Sequence, residues 1–374
     1  MVRSQHCPPV YKSVIGVYIV WLIVINVFAF YVLNRFNLNS DTAYTWINPT
    51  EFHQDQNLDL INLRVHWDSF WYLKIATEGY KYIPGQMSSI AFFPLYPSLI
   101  WAVSQASISP ALAGWVISTI ALGVGLIFLF KLVKKFHPEI DPISPITYLL
   151  IFPTAFFLNS VYTESLFLAL SIIFFYFLLS KRFFMATIFL SLASLCRMNG
   201  LFLFIPFIFE YFRVFGLKRM FNLNLLSYPL ACVGILSFLF YQYITFNEPL
   251  AFLKSQMEWG REFTLNSEHF LLTSPSSYMN LSTDVLFFIT CLVCGILLIK
   301  YIRPSYGIYV LTTALVVVST GTLMSFSRFT LILFPIFILI ASIKNTQIRF
   351  GWQLLSTLLL AAFTILFVNN YWAG

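Results

Sequence analysis

His66-Trp67-Asp68-Ser69-Phe70-Trp71-Tyr72-Leu73-Lys74-Ile75-Ala76-Thr77-Glu78-Gly79-Tyr80, followed shortly by Ala91-Phe92-Phe93-Pro94-Leu95-Tyr96-Pro97, is the stretch that decides what kind of protein this is. The first segment reads as a short amphipathic helix, with Asp68 where an N-cap stands and Gly79 where a left-handed residue closes a helix. Trp67, Phe70, Trp71 and Ile75 share one side at helical spacing, and Lys74 and Glu78 lie off it. Such a helix lies in a membrane interface instead of crossing it. It brings one carboxylate, one ammonium and a row of aromatic rings to the membrane surface.

The chain around it has 374 residues, 59% of them hydrophobic and 10% charged. A soluble domain carries about a quarter charged residues. Apolar runs of about 20 residues, the thickness of a hydrocarbon core, recur along most of the length. The sequence therefore predicts a single all-α polytopic membrane domain over 1–374 with about eleven spans. These fall at about Ser13–Leu33, Pro110–Phe130, Ile143–Leu158, Ser165–Leu179, Phe183–Leu195, Leu201–Phe212, Leu225–Phe246, Leu281–Ile299, Tyr306–Leu323, Phe329–Ile343 and Gly351–Val368. The first is too long for a signal-peptide core and has no small-residue cleavage site before Arg35, so it is expected to stay as an anchor. Phe92–Gln105 is apolar but interrupted by Pro94 and Pro97, and is assigned to a surface substructure.

Alternating the connections places fourteen basic residues on one side, among them Lys131, Lys134, Lys135, Lys181, Arg182, Arg213, Lys300 and Arg303. Eight basic and twelve of the fifteen acidic residues fall on the other. The richer side is cytoplasmic by the positive-inside rule, and so is the N-terminus. The first outer loop, 34–109 with its juxtamembrane helices, and the second, 247–280, then lie outside together with Asp68. The net charge of +7 is thus a topology signal and not one for nucleic acid. No phosphate-binding glycine loop of either nucleotide type occurs, which disfavours a nucleotide-sugar donor. Of five cysteines, Cys291 and Cys294 have C-x-x-C spacing, but no histidine is near, and two apolar thiols one turn apart are the plain reading.

Charges near membrane depth are costly and invite a functional hypothesis. Besides Asp68, the outer ends of spans carry Glu164 in Tyr162-Thr163-Glu164-Ser165, Arg197 in Arg197-Met198-Asn199-Gly200, and Arg328 in Ser325-Phe326-Ser327-Arg328. With Lys74 they could converge on one cavity. One carboxylate among several cations suits displacement of an anionic leaving group: the carboxylate takes a proton from an attacking hydroxyl, and the cations hold a phosphate as it departs. Arginine fits phosphate through its bidentate fork. His66 beside Asp68 is a further phosphate candidate. Plainer roles are also open. Asp68 could be only a cap, and Arg197, Glu164 and Arg328 could pair with one another or snorkel to headgroups. Glu210, near a cytoplasmic end, reads as interfacial. Pattern alone leaves transport and catalysis equally open.

The Trp67–Ala76 segment with Gly79-Tyr80, and Ala91–Pro97 after it, resemble the GPI mannosyltransferase II (PIG-V-like) family of integral-membrane GT-C glycosyltransferases. Tyr162-Thr163-Glu164-Ser165, Arg197-Met198-Asn199-Gly200, Pro249-Leu250-Ala251-Phe252 with Gln256, Trp259 and Arg261, and Ser327-Arg328-Phe329 with Phe334-Pro335 match further motifs in register. The similarity runs from about Arg64 to Ala341. It implies a GT-C bundle whose first outer loop carries an acidic residue, a polyprenyl- or dolichyl-phosphate sugar donor, mannose as the sugar, and inversion at the anomeric carbon. Asp68 would be the general base. Arg328, Arg197, Lys74 and His66 are then candidates for the donor phosphate, and Glu164 for orienting a substrate. No metal or cofactor is implied; the partners are the lipid-phosphate donor, a lipid-linked glycan or similar hydroxyl acceptor, and membrane lipids. Location would be a plasma membrane in a prokaryote or the endoplasmic reticulum in a eukaryote. Ser88-Ser89-Ile90 stand where some relatives carry an acid, and Asn247-Glu248 where Gly-Asp is frequent. A transporter or lipid flippase, which calls for inverted repeats not found here, and a non-catalytic assembly subunit are the competing expectations.

Overall fold

The computed structural model describes residues 11–35, 60–216, 227–262 and 275–373. Asp41, Glu51, Asp55 and Asp59 of the first outer loop, Glu268 of the second, and Arg3, Lys218 and Arg219 of the basic side lie outside the described residues. Among the described residues, five helices are long and apolar enough to cross a membrane: Lys12–Leu33, Pro110–Phe136, Met198–Phe215, Asn280–Ile302 and Thr346–Val368. A sixth is made if Leu230–Phe246 and Ala251–Glu258, bent by 84°, count as one.

The other spans expected from the sequence are shorter or broken. Glu164–Leu179, Phe183–Cys196 and Pro304–Ser319 are short apolar helices. Ile143–Leu158 divides into helix Ser144–Leu150 and the 3₁₀ turn Ala155–Asn159. Phe329–Ile343 likewise divides, into Phe326–Leu331 and Pro335–Ser342. Pro153 and Pro335 stand at these breaks and cannot donate to the helical ladder. Irregular backbone at such depth is tolerated where protein covers it, and residues 152–160 and 331–340 are buried throughout. Glu164–Leu179 sits at the centre, buried on nearly every side, which is why its sequence shows no polar face. It lies against Pro110–Phe136 and Phe183–Cys196. Gly125 permits the first contact: a Cβ there would come 3.1 Å from the Ala169 Cα.

Residues 60–109 fold onto one end of this bundle. The helix Asp68–Glu78 begins one residue earlier than a capping aspartate would allow. Trp67 takes the cap position at φ 54°, no side chain caps the helix, and the Asp68 carboxylate is left for a tertiary partner. Gly79 closes the helix at φ 80°, its N–H donating to Ile75 O at 3.0 Å. The buried face is Ser69, Tyr72, Ile75 and Ala76, offset from the Trp67–Phe70–Trp71–Ile75 face expected from spacing. The reason is that this face packs on protein: Tyr72 and Ala76 meet Val65, Tyr96, Ile100, Ala113 and Val161. Trp67 and Trp71 instead lie against rings from elsewhere, Trp372 at 5.4 Å and Trp259 at 5.3 Å. Leu95–Ser104, with Pro97 in its first turn, is a ten-residue apolar helix, shorter than a membrane span. Tyr96 ties it to Pro110–Phe136, its hydroxyl donating to Gly114 O at 2.9 Å.

The 84° bend follows Asn247 at φ 53° and turns Ala251–Glu258 across the same end. Gln242 Oε1 accepts the Phe252 N–H at 2.8 Å and holds the bend. Gln256 Nε2 donates to Ala91 O at 3.0 Å, and Ser255 Oγ to Ser88 O at 3.1 Å. The second outer-loop motif is thereby laced to Ala91-Phe92-Phe93-Pro94. At the opposite end Glu210 is buried in protein and accepts from Arg303 Nε at 2.9 Å and Ser305 Oγ at 2.7 Å. That pair locks Phe204–Phe215 to Pro304–Ser319. Cys291 and Cys294 are free thiols in the Pro275–Leu297 helix.

Candidate active site

Glu164 is the first residue of the central helix, and its side chain has no exposed surface. A carboxylate so placed needs cations and hydrogen bonds to remain ionised. Arg328 supplies two, from Nε at 3.0 Å and Nη2 at 2.8 Å, both to Oε1. Arg197 Nη1 reaches the same oxygen at 2.8 Å. Glu164 Oε2 is buried without a hydrogen bond among the described residues. Arg328 then spans outward, its Nη1 2.9 Å from Asp68 Oδ2. Asp68, Arg328, Glu164 and Arg197 thus form one chain of charges across three helices and a turn. Side-chain exposure runs 24% for Asp68, 6% for Arg328, 0% for Glu164 and 13% for Arg197, so Asp68 is the member a substrate can reach. Among the described residues no hydrogen bond occupies Asp68 Oδ1.

The surroundings fix this geometry. The Arg328 guanidinium lies 4.7 Å from the Phe157 ring and 4.9 Å from Tyr162, a cation–π seat. Tyr162 donates to His66 O at 2.7 Å, and the Val161 N–H to Arg64 O at 2.9 Å, so Val161-Tyr162 anchors the strand of chain leading into Asp68. Arg197 follows Phe183–Cys196 in extended conformation and also donates to Thr163 Oγ1 at 3.0 Å. Gly200 explains the rest of its motif: a Cβ there would overlap the Ala193 carbonyl, against which the chain turns back. Phe329, next to Arg328, carries two more guanidinium contacts, Arg197 at 5.8 Å and Arg261 at 5.3 Å.

Of the residues singled out in the sequence, Asp68, Glu164, Arg197 and Arg328 are brought together. Lys74 is not: it is exposed and forms no ion pair among the described residues. His66 is adjacent in sequence, but its ring contacts are with Asn370 and Phe367 and not with the charges. It is buried, with Nδ1 2.6 Å from Asn370 Oδ1 and its ring 4.7 Å from Phe367. Burial, helped by the Arg64 charge, pulls its pKa down to about 4, and a neutral imidazole is a poor phosphate ligand. Arg64 is the buried cation of that neighbourhood and donates to Asn26. The acid missing at Ser88-Ser89 is not replaced locally: both hydroxyls serve the backbone of 81–89.

Two residues escaped sequence reasoning. Arg261 was visible only as part of a motif; it donates to Met324 O at 3.2 Å and has no carboxylate within ion-pair distance among the described residues. Burial and the nearby Arg328 lower its pKa to about 10. Three guanidiniums, those of Arg197, Arg261 and Arg328, thus gather beside Asp68 and Glu164. Asp284 is a lone acid inside the apolar run Leu281–Ile299, a signal available in the sequence and not used. It is buried and accepts the backbone N–H of Phe326 at 2.8 Å.

Fold and site together define an all-α polytopic membrane bundle with a carboxylate–arginine chain at one end. The crystal structure of ArnT from Cupriavidus metallidurans bound to undecaprenyl phosphate is similar over 93% of this chain, with a TM-score of 0.58 and 13% identity. The match takes in 64% of ArnT, so this chain spans less than two thirds of that protein's length. At that identity the likeness is one of fold. No family model and no curated protein matches the sequence.

Proposed function

We propose that the protein is a membrane glycosyltransferase that moves a sugar from a polyprenyl-phosphate donor to a hydroxyl of a lipid-linked glycan or similar acceptor. The single observation that carries this is the partly exposed Asp68 carboxylate, held by Arg328 at 2.9 Å with the Arg197 and Arg261 guanidiniums close by against Phe329. In one displacement, the acceptor oxygen bonds to the anomeric carbon and its proton passes to Asp68. The bond from that carbon to the phosphate oxygen breaks, and the electron pair leaves with the phosphate. Attack opposite the leaving group inverts the centre. Arg261, and Arg197 once its share in Glu164 is counted, are the cations available to the phosphate, since Arg328 is engaged by two carboxylates. Glu164 acts by holding Arg328 and Arg197 together on one oxygen and in register, a positioning task in place of the substrate contact expected for it.

That ArnT, of like fold, was crystallised with undecaprenyl phosphate supports a polyprenyl phosphate as donor. Mannose as the sugar, kinship with the PIG-V-like group and a site on the non-cytoplasmic side rest on the motifs and the charge asymmetry of the sequence. Mass analysis of lipid-linked glycans from membranes with and without the protein tests the reading. A species larger by one hexose, present only with the protein, is expected. Movement of lipid or solute across proteoliposomes with no covalent product would favour a transporter instead.

A further inference from the structure

Asp284 lies on the Pro275–Leu297 helix, one residue past Thr283 and followed by the apolar run Val285–Cys291. A carboxylate is expensive there and is retained where it has a task. Its Oδ1 accepts the N–H of Phe326 at 2.8 Å and of Ser327 at 3.4 Å. These are the first two N–H groups of the six-residue helix Phe326–Leu331, which has no cap of its own. Ser325 just before it stands at φ 68°, a conformation that a residue with a Cβ keeps only when its surroundings impose it. The same serine's carbonyl accepts the Arg328 N–H at 3.0 Å. From the other side Thr154 Oγ1 donates to Ser327 O at 3.3 Å. The turn is therefore clamped by two other elements, immediately ahead of the arginine that joins Asp68 to Glu164. Asp284 itself makes no ion pair with Arg328.

We propose that Asp284 is a positioning residue: by accepting the Phe326 and Ser327 N–H groups it fixes the left-handed turn at Ser325 and so sets Arg328 between Asp68 and Glu164. Its effect on turnover rests on the sugar-transfer reading above; its effect on Arg328 does not. What matters is an acceptor oxygen, so asparagine should substitute and leucine should not. Leucine is the apt removal, because Asp284 borders a cleft of about 20 Å³, room for one water that could take over the acceptor role in a truncated variant.

The experiment uses the full chain in lipid nanodiscs, with polyprenyl-phosphate-mannose as donor probe. Asp284→Asn should keep kcat within about threefold of wild type, and Asp284→Leu should lower it about 10²-fold, the order expected for a misplaced site group. Thermal unfolding of Asp284→Leu, Arg328→Met and the double variant gives a readout independent of turnover. The Tm loss from Asp284→Leu should be much smaller when Arg328 is already gone. Should Arg328→Met not fold, Arg328→Lys serves as the second background. An equal Tm loss in both backgrounds, wild-type turnover in Asp284→Leu, or equal damage from Asn and Leu would overturn the proposal. If the wild-type protein transfers no sugar, the sugar-transfer reading fails, while the Tm comparison still decides the clamp.

Discussion

At the scale of single residues, the site separates into members that differ in what their loss should do. Asp68 is partly exposed, and among the described residues only its Oδ2 is paired, with Arg328. In Asp68→Asn an oxygen still accepts from Arg328, so folding should be retained. Arg328→Met removes the partner of a wholly buried carboxylate, which costs about 3–5 kcal/mol when a buried pair is broken. Its Tm should therefore fall sharply, whereas that of Asp68→Asn should not, and differential scanning fluorimetry separates the two. His66 gives a pH signature. Its folded pKa of about 4 lies below the ordinary 6.5, so the unfolded chain binds a proton that the folded chain refuses. This contribution is complete above about pH 6.5 and is lost as pH falls towards 4, by up to about 3 kcal/mol. Tm measured across that window should decline, and His66→Gln should flatten the decline; an unchanged slope would mean that His66 is protonated in the fold.

Secondary-structure elements show where spacing was a sound guide and where it was not. The Asp68–Glu78 helix and its closure at Gly79 were legible from turn and helix signals. Its buried face was not, because hydrophobic spacing cannot tell a face that meets lipid from one that meets Tyr96 and Val161. The breaks at Pro153 and Pro335 and the bend after Asn247 come from single residues and the Gln242–Phe252 hydrogen bond, which a hydropathy window averages over or does not see. Asp284 was legible in principle, as a charge inside a span. The convergence of Asp68, Glu164, Arg197 and Arg328 followed from assigning all four to one side. Which of them pair, and that His66 contacts Asn370 and not the charges, depended on Phe157, Tyr162 and Asn370, residues with no charge signal. Gly200 tests the element that delivers Arg197. A methyl group there would overlap the Ala193 carbonyl. Gly200→Ala should thus cost about 1–3 kcal/mol by overpacking and displace Arg197 from Glu164. A variant with wild-type Tm and unaltered donor affinity would contradict that role.

At the scale of the whole molecule, the charges divide between two ends. One holds Asp68, Arg197, Arg261 and Arg328; the other holds Lys135 bonded to Ser180 and Arg303 bonded to Glu210. We propose, from the distribution of basic residues in the sequence, that the first end is non-cytoplasmic. In a cysteine-free background, Lys74→Cys should react with a membrane-impermeant maleimide applied to intact cells, and Lys131→Cys only after permeabilisation. The reverse pattern would place the site in the cytosol and remove the lipid-phosphate donor from contention on that side. The most direct measurement is turnover of the purified protein against its Asp68→Asn variant, with polyprenyl-phosphate-mannose and a hydroxyl acceptor. Transfer by the wild type and a loss of about 10²–10⁴-fold in the folded variant are expected for removal of a general base. Transfer undiminished in Asp68→Asn would contradict Asp68 as the base.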